Sequence, residues 1–512
     1  MINVGVYLND YKNSDVWENI ILDEISREKN FNVILIKNEV KFEKKTNKKT
    51  SALKFLLLHF QIKIENIVLK TFSKKSKNQK IKKSFLKENN FDFIVNFSHN
   101  IKKEILIEKA NIGLLEVFKD SFLIYKYNLL CINEVVKKMP CVNLKLKVYN
   151  KKINKGVFIE DMFFTYDWKG SKNLASLSVR VSKFLIKNIN IYIINEREYN
   201  ICKNKTENFE ERISIYTQFI YIIKFYLMIF KRFYKSLLYK FFNRKKDNWT
   251  LVFGNNYSKN KFFKNLKPVV LPKDEFWADP FLFKFKKEYY VFFEKYINKI
   301  GRGIISCGKL VNGEINDIED VLITDYHLSY PNVFEEEGEI YMIPEISEKR
   351  RLEIYKCINF PNQWELYSYA FDGEYVVDTI YYKDENNNKW LFLSKTNNNL
   401  NDNCSELYIY QIDSLKLNKV INHKQNPIFA DCRKSRNAGA ILKLNNKLIR
   451  PSQNNSYGIY GYNINFNQIK VLNIEEYKEE NIKIHNNSFK KYKRVHHFHF
   501  LDEIFVFDCY LN

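Results

Sequence analysis

Two textures of apolar and polar positions divide this chain. Over the first two hundred residues, short unbroken apolar runs alternate with helical patterns. INVGVYL (2–8) leads into a helical stretch from about Ser14 to Glu28, and FNVILIK (31–37) follows. FDFIVNF (91–97), the helical IKKEILIEKA (101–110) and IGLLEV (112–117) repeat that order. Apolar strands separated by helices predict a parallel, doubly wound α/β sheet, because such strands are buried on both faces. No Gly-x-Gly-x-x-Gly follows the first strand, so dinucleotide binding has no support. The Lys-rich stretch over 41–90 reads as an insertion of loop and helix with a solvated face.

From Trp249 the texture changes to short alternating strands separated by Asn, Gly and Lys turns, and it repeats. WADPFLFKFKKEYYVFFE (277–294) is answered by SYPNVFEEEGEIYMIPE (329–345), VDTIYYKDENNNKWLFLS (377–394), NAGAILKLNNKLIRPSQ (437–453) and HHFHFLDEIFVFD (496–508). Each unit has a polar opening, an apolar strand, a polar turn and a second strand, and three close on Glu294, Glu345 and Asp508. A third strand follows the first four units, at 303–310, 352–357, 406–412 and 458–464. The last unit lacks outer strands, and NWTLVFG (248–254) is the candidate to supply one. Five such units closing on themselves predict an all-β five-bladed propeller with first-strand openings around its centre. The domains expected are therefore 1–200 α/β, 201–247 a helical linker and 248–512 the propeller.

The linker contains ERISIYTQFIYIIKFYLMIFKRFYKSLLYKFFN (211–243), aromatic, apolar and basic. Lys224 interrupts it, and the run is too short and too charged for a membrane span. A helix packed on a domain and an amphipathic helix lying on a membrane surface both fit, the second because of the Lys and Arg at 231, 232, 235, 240 and 244–246.

Composition changes this picture little. The 512 residues carry 83 Lys and Arg against 59 Asp and Glu, a net charge of +24. The Lys residues are spread along the whole chain, which suits a solvated surface better than a nucleic-acid site. No pair of the eight Cys has CxxC spacing, so neither zinc nor a disulfide scaffold is expected. The opening MINVGVYLND lacks a signal peptide's basic head and apolar stretch. The expectation is a cytoplasmic protein, peripheral to the inner membrane if the linker helix lies on it.

Propeller geometry decides which distant residues can meet. Asp279, Asp378, Arg436 and His496 stand at first-strand openings, and Glu345 and Gln453 at second-strand ends. Paired carboxylates can supply acid and base to a glycosidic bond, and a third raises its neighbour's pKa. Local roles compete with this: a turn for Asp279, burial for Glu345, a bond to the Thr379 backbone for Asp378, a channel plug for His496. His496, His497 and His499 alternate along a strand without a three-ligand spacing, so no metal is assigned, and one divalent cation in the channel stays an alternative. Asp431, Arg433, Arg436 and Arg450 are candidate clamps for an anionic sugar or a nucleotide-sugar donor, or else salt bridges pinning the fourth blade. Gln453, His496 and His327 complete the candidate sugar-binding set.

FWADPFLF (276–283), YHLSYPNVFEEEGEIYMIPE (326–345), FPNQW (360–364), VDTI (377–380), NPIFADCRKSRNAG (426–439) and RPSQ with YG (450–458) resemble bacterial relatives of the N-terminal domain of plant glucosamine inositolphosphorylceramide transferase. The Asp-Pro of the first blade and the later Glu also resemble the family 43 glycoside hydrolase propellers. That resemblance implies Asp279 as general base, Glu345 as general acid and Asp378 as pKa modulator. Residues 1–200 resemble the formyltransferase-like domain found before such propellers. GLLEVFKDS (113–121) keeps Asp120, but no His accompanies it, and His99 sits on the preceding strand–helix turn. Without that imidazole a degenerate or repurposed site is expected. The function expected is glycosyl transfer in cell-surface polysaccharide or glycoconjugate synthesis. The alternatives are a non-catalytic glycan-binding or scaffold module and formyl transfer to an amino sugar.

Overall fold

A computed structural model describes residues 1–12, 14–37, 55–69, 81–98, 101–120, 122–151, 153–195, 213–242, 249–255, 266, 268–395, 406–482 and 492–510. The chain forms two units, Met1–Tyr234 and Lys235–Asn512.

The first unit is built on β1 (Ile2–Tyr7), β2 (Phe31–Lys37), β3 (Lys82–Phe85), β4 (Phe91–Asn96), β5 (Ala110–Lys119), β6 (Phe122–Leu123), β7 (Val142–Asn150) and β8 (Ile153–Phe164). Its sheet order is β3-β2-β1-β4-β5-β7-β8, with β6 beside β5. The first five strands are parallel, as the unbroken apolar runs of β1, β2, β4 and β5 predict, and β7 and β8 add an antiparallel edge. The helix Val16–Ser26 opens where the Glu18 carboxylate accepts the Asp15 backbone N–H at 2.7 Å. The Lys-rich stretch holds more order than its composition suggests, with a helix at Leu56–Leu69 and the short β3. An edge strand of sequence KKSF carries charge rather than an apolar run, so pattern reading passes over it. His99 lies outside the described residues.

The second unit begins with β9 (Trp249–Asn255). Blade one is β10 (Glu275–Phe285), β11 (Glu288–Ile297), β12 (Arg302–Val311) and β13 (Glu314–Leu322). Blade two is β14 (Ser329–Glu336), β15 (Glu339–Glu345), β16 (Leu352–Asn359) and β17 (Gln363–Ala370). Blade three is β18 (Val376–Lys383), β19 (Lys389–Lys395), β20 (Glu406–Ile412) and β21 (Val420–Asn422), with β22 (Phe429–Ala430) also on β20. Blade four is β23 (Leu442–Leu444), β24 (Lys447–Asn454), β25 (Asn463–Leu472) and β26 (Tyr477–Ile482). β27 (Phe498–Leu501) and β28 (Ile504–Tyr510) make blade five with β9 as the outer strand, so the expected donor of that strand is the one observed.

Five sheets joined in a ring make this unit a five-bladed propeller. Asn332 donates to Thr379 O between blades two and three, Asn437 to Asp378 O and Phe392 O between three and four, and Phe498 N–H to Ala438 O between four and five. Leu282 N–H donates to His499 Nδ1 and closes five onto one. Phe283, Phe292, Leu328, Val333 and Met342 pack the space between blades one and two. One expected strand shifts. Residues 458–464 were assigned to the third strand of blade four, yet that strand starts at Asn463, because Gly458 and Gly461 turn the chain at positive φ.

Candidate active site

The innermost strands share a device that aims side chains at the centre of the ring. β10, β14 and β18 each carry a bulge near their start, where the register jumps between Ala278 and Phe281, Ser329 and Asn332, and Val377 and Ile380. Each bulge holds one residue in the left-handed region, Asp279 (φ 51°), Tyr330 (φ 48°) and Asp378 (φ 48°). Non-glycine residues adopt this conformation at a cost, and such strain concentrates at functional positions. Ahead of the first strand of blade four stands Gly439 (φ 130°), where a Cβ would come within 2.0 Å of Phe498 O. Its N–H donates to the Tyr330 hydroxyl, so the tyrosine reaches across the ring. Phe281, His497 and His499 pack around these rings with centroids 4.6 to 5.3 Å apart. The aromatic plug is therefore built on His497, and His496 has another task.

His496 lies between two acids. Its Nδ1 is 2.5 Å from Asp508 Oδ2 and its Nε2 is 3.8 Å from Asp279 Oδ1. Trp249 of β9 stacks on the imidazole at 4.0 Å and fixes its plane. Asp508 also accepts the backbone N–H groups of Asp279, His496 and His497. The paired carboxylates raise the His496 pKa against the pull of burial. Burial in turn drives the Asp279 carboxyl well above its usual range, opposed by His496 and reinforced by Asp508 and Asp378. Ligand atoms of Asp279, His496 and Asp508 lie within 4.8 Å of one another, as a bound cation would need. Both oxygens of Asp508 accept backbone N–H groups, which holds this carboxylate against the imidazole.

A second cluster adjoins the first. Arg436 Nε meets Asp378 Oδ2 at 2.5 Å, and its terminal nitrogen lies 3.5 Å from Glu345 Oε2. Gln453 donates to Asp378 Oδ2 at 3.0 Å, and its own carbonyl oxygen has no partner among the described residues. Burial pushes the Asp378 carboxyl up to about 7 against the pull of Arg436, and the nearby Glu345 adds to the rise. Asp279, Glu345, Asp378, Arg436, Gln453 and His496 thus converge from all five blades' openings and second-strand ends. Asp378 is bridged by Arg436, while Glu345 and Arg436 retain slight access, with side chains 10% and 13% exposed.

Sequence reading missed Glu294 and Asp508 as members, although both close a second strand as Glu345 does. Burial drives the Glu294 carboxyl far above the ordinary range, and Asp279, Glu345, Asp508 and Asp378 add to the rise. Glu294 Oε1 lies 3.6 Å from His327 Nε2, whose ring partner Nδ1 accepts the Gly303 N–H. His327 therefore joins the site through Glu294. The other proposed clamps do not converge here. Asp431 and Arg433 form a bidentate pair with each other. Arg450 is fully buried and donates to Glu479, Asn437 and Lys434 O, the blade-pinning bridge that was its alternative reading.

In the first unit, Asp120 (φ 55°) lies 3.7 Å from Lys119 Nζ in a pocket with Phe122, Tyr125, Asn133 and Glu134. Lys119 is buried against Glu134, so Asp120 stands beside a buried ion pair.

Five blades closed in a ring, with acids, an arginine and an imidazole at the centre, define a five-bladed β-propeller with a buried polar cluster on its axis. The profile of the family described as "Glucosamine inositolphosphorylceramide transferase 1, N-terminal" matches residues 268–502. Glucosamine inositolphosphorylceramide transferase 1 of Oryza sativa subsp. japonica is 33% identical over 208 residues, covering 40% of this chain and 27% of that protein. The Arabidopsis thaliana protein of the same name is 31% identical over 233 residues, covering 44% and 30%. The chain thus spans less than a third of the length of the curated relatives it matches. Among solved structures, it is similar to an exo-β-1,3-galactanase from Clostridium thermocellum at 13% identity and TM-score 0.34, over 46% of this chain and 60% of that one. An endo-arabinase from Bacteroides thetaiotaomicron gives 16% and 0.31, over 44% and 85%.

Proposed function

We propose that the centre of the propeller is a carbohydrate site that transfers a glycosyl unit during glycoconjugate synthesis. The observation that carries this is the convergence of Asp279, Glu345 and Asp378 from three blades beside Arg436 and Gln453. Asp279, its pKa lifted towards neutrality and its neighbour His496 held by Asp508, suits the general base. Glu345 serves as the acid, and Asp378, a buried carboxyl beside it whose own pKa is raised, is the modulator. Gln453 and Arg436 hold sugar hydroxyls or an anionic substituent. Similarity to proteins named as transferases favours transfer over hydrolysis.

A second reading has its own support. The matching profile describes an N-terminal region, and the chain spans under a third of its relatives, so the propeller would then bind a glycan beside a separate transferase. The first unit reads as a formyltransferase-like fold put to another use, since Asp120 faces a Lys119–Glu134 pair.

Asp279→Asn and Glu345→Gln decide between these. Assayed with a nucleotide-sugar donor and a lipid-linked acceptor, each should lower turnover at least about a hundredfold while glycan binding persists. Full product formation in both variants would leave only the binding module.

A further inference from the structure

The helix Ile215–Phe242 has one face fixed and one face open. On the fixed side Tyr221 donates to Glu65 at 2.7 Å and accepts the Gly170 N–H at 2.7 Å. Lys224 reaches Val136 O at 2.7 Å, and Phe225 packs on Trp168 with centroids 5.1 Å apart. Gln218, Tyr221 and Phe225 are buried on that side. The helix is therefore held by the first unit rather than loose.

On the open side Phe219, Ile223, Leu227, Phe230, Tyr234 and Leu237 succeed one another at spacings of three and four. At about 100° per residue they fall within an arc of about 120°. Their exposure runs from 36% at Leu237 to 67% at Phe230. Single exposed apolar residues are ordinary, but a continuous stripe along several helical turns marks an interaction surface. Charge identifies the partner. The helix contains no Asp or Glu, and Lys231 and Lys235 stand on one shoulder of the stripe, about 100–140° round from Phe230. Arg244, Lys245 and Lys246 follow it in the sequence. A protein surface that accepted this stripe would need to be apolar and acidic together. An anionic bilayer offers both, with aromatic rings at the headgroup boundary and lysines among the phosphates. Among the described residues no helix is long and apolar enough to cross a membrane.

We propose that the helix beginning at Ile215 docks side-on onto an anionic bilayer, burying the Phe219–Tyr234 stripe and placing Lys231 against lipid phosphates. This is independent of the chemistry at the propeller centre, and Asp279→Asn should bind lipid as the natural chain does.

Vesicle flotation of the full chain provides the test, using phosphatidylcholine alone and phosphatidylcholine with about one third phosphatidylglycerol. The full chain should float with the anionic vesicles and about tenfold less with the neutral ones, and added salt should weaken binding. Leu227→Ser with Phe230→Ser should reduce partitioning at least about tenfold, and Lys231→Glu should reduce it several-fold on anionic vesicles. These side chains are exposed, so melting temperatures should stay unchanged and folding failure can be recognised. Flotation untouched by the stripe variant would overturn the proposal. So would absence of binding together with stripe-dependent self-association in sedimentation, which would assign the face to a second copy.

Discussion

His496 and Asp508 form a contact of 2.5 Å that orients the imidazole so that its other nitrogen faces Asp279. The positive charge shared with His496 draws the proton off Asp279 and opposes the effect of burial. Removing it should raise the Asp279 pKa further. His496→Gln should therefore move the acidic limb of the kcat/KM profile to higher pH, with a rate loss of about ten- to a hundredfold at neutrality. A pH–rate profile for both proteins checks this, and an unmoved limb would remove His496 from the mechanism.

Arg436 and Asp378 are a buried pair, and losing one partner strands the other's charge. Arg436→Met should destabilise the propeller by about 3–5 kcal/mol at mildly alkaline pH. The double variant with Asp378→Asn should recover most of that loss, because the stranded charge is gone. Urea unfolding of the three variants measures the coupling.

Three buried carboxyls, Asp279, Glu294 and Asp378, have raised pKa values in the folded chain. Such groups bind protons more tightly folded than unfolded. Their stabilising effect is whole below the unfolded value of about 4 and is lost as pH rises through the folded value, which for Asp378 is about 7. The propeller should therefore melt at a higher temperature in mildly acidic than in mildly alkaline buffer. The slope is about 1.4 kcal/mol per pH unit for each proton taken up on folding. Glu294→Gln, a neutral isostere of the protonated acid, should flatten this dependence and raise stability at the alkaline end. Calorimetry across the pH range reads both effects.

Gly439 has a φ of 130° and no room for a Cβ beside Phe498 O. Gly439→Ala should cost about 2–4 kcal/mol and lower the melting temperature by about 5–15 °C. A melting curve indistinguishable from the parent would mean the chain relaxes here, and that the Tyr330 contact is not fixed.

Much of this architecture is legible in the sequence, for a physical reason. First and second strands of each blade face the packed interior, so their apolar runs repeat visibly. Outer strands do not: EINDIEDVL of β13 is mostly exposed and reads as a polar loop. The acids and Arg436 were found because strand openings must converge in a ring. The partners were harder. Asp508 and Glu294 look like ordinary strand-end acids, and only their burial distinguishes them. The bulges at Asp279, Tyr330 and Asp378 carry no glycine, so nothing in the sequence announces positive φ there. Arg450 resembled Arg436 as a clamp, but its acidic partner Glu479 stands on an outer strand that pattern reading does not see.

Blade five is completed by a strand that leads the propeller in sequence, with Asn255 of β9 lying opposite Ile504 of β28. During synthesis β9 emerges first and must wait for about 250 further residues before its hydrogen-bonding edge is matched. Until then Trp249 has no imidazole to stack on, and Asp279 has no His496 beside it. Closure of the ring and assembly of its central cluster therefore arrive together, so a chain interrupted before blade five lacks both.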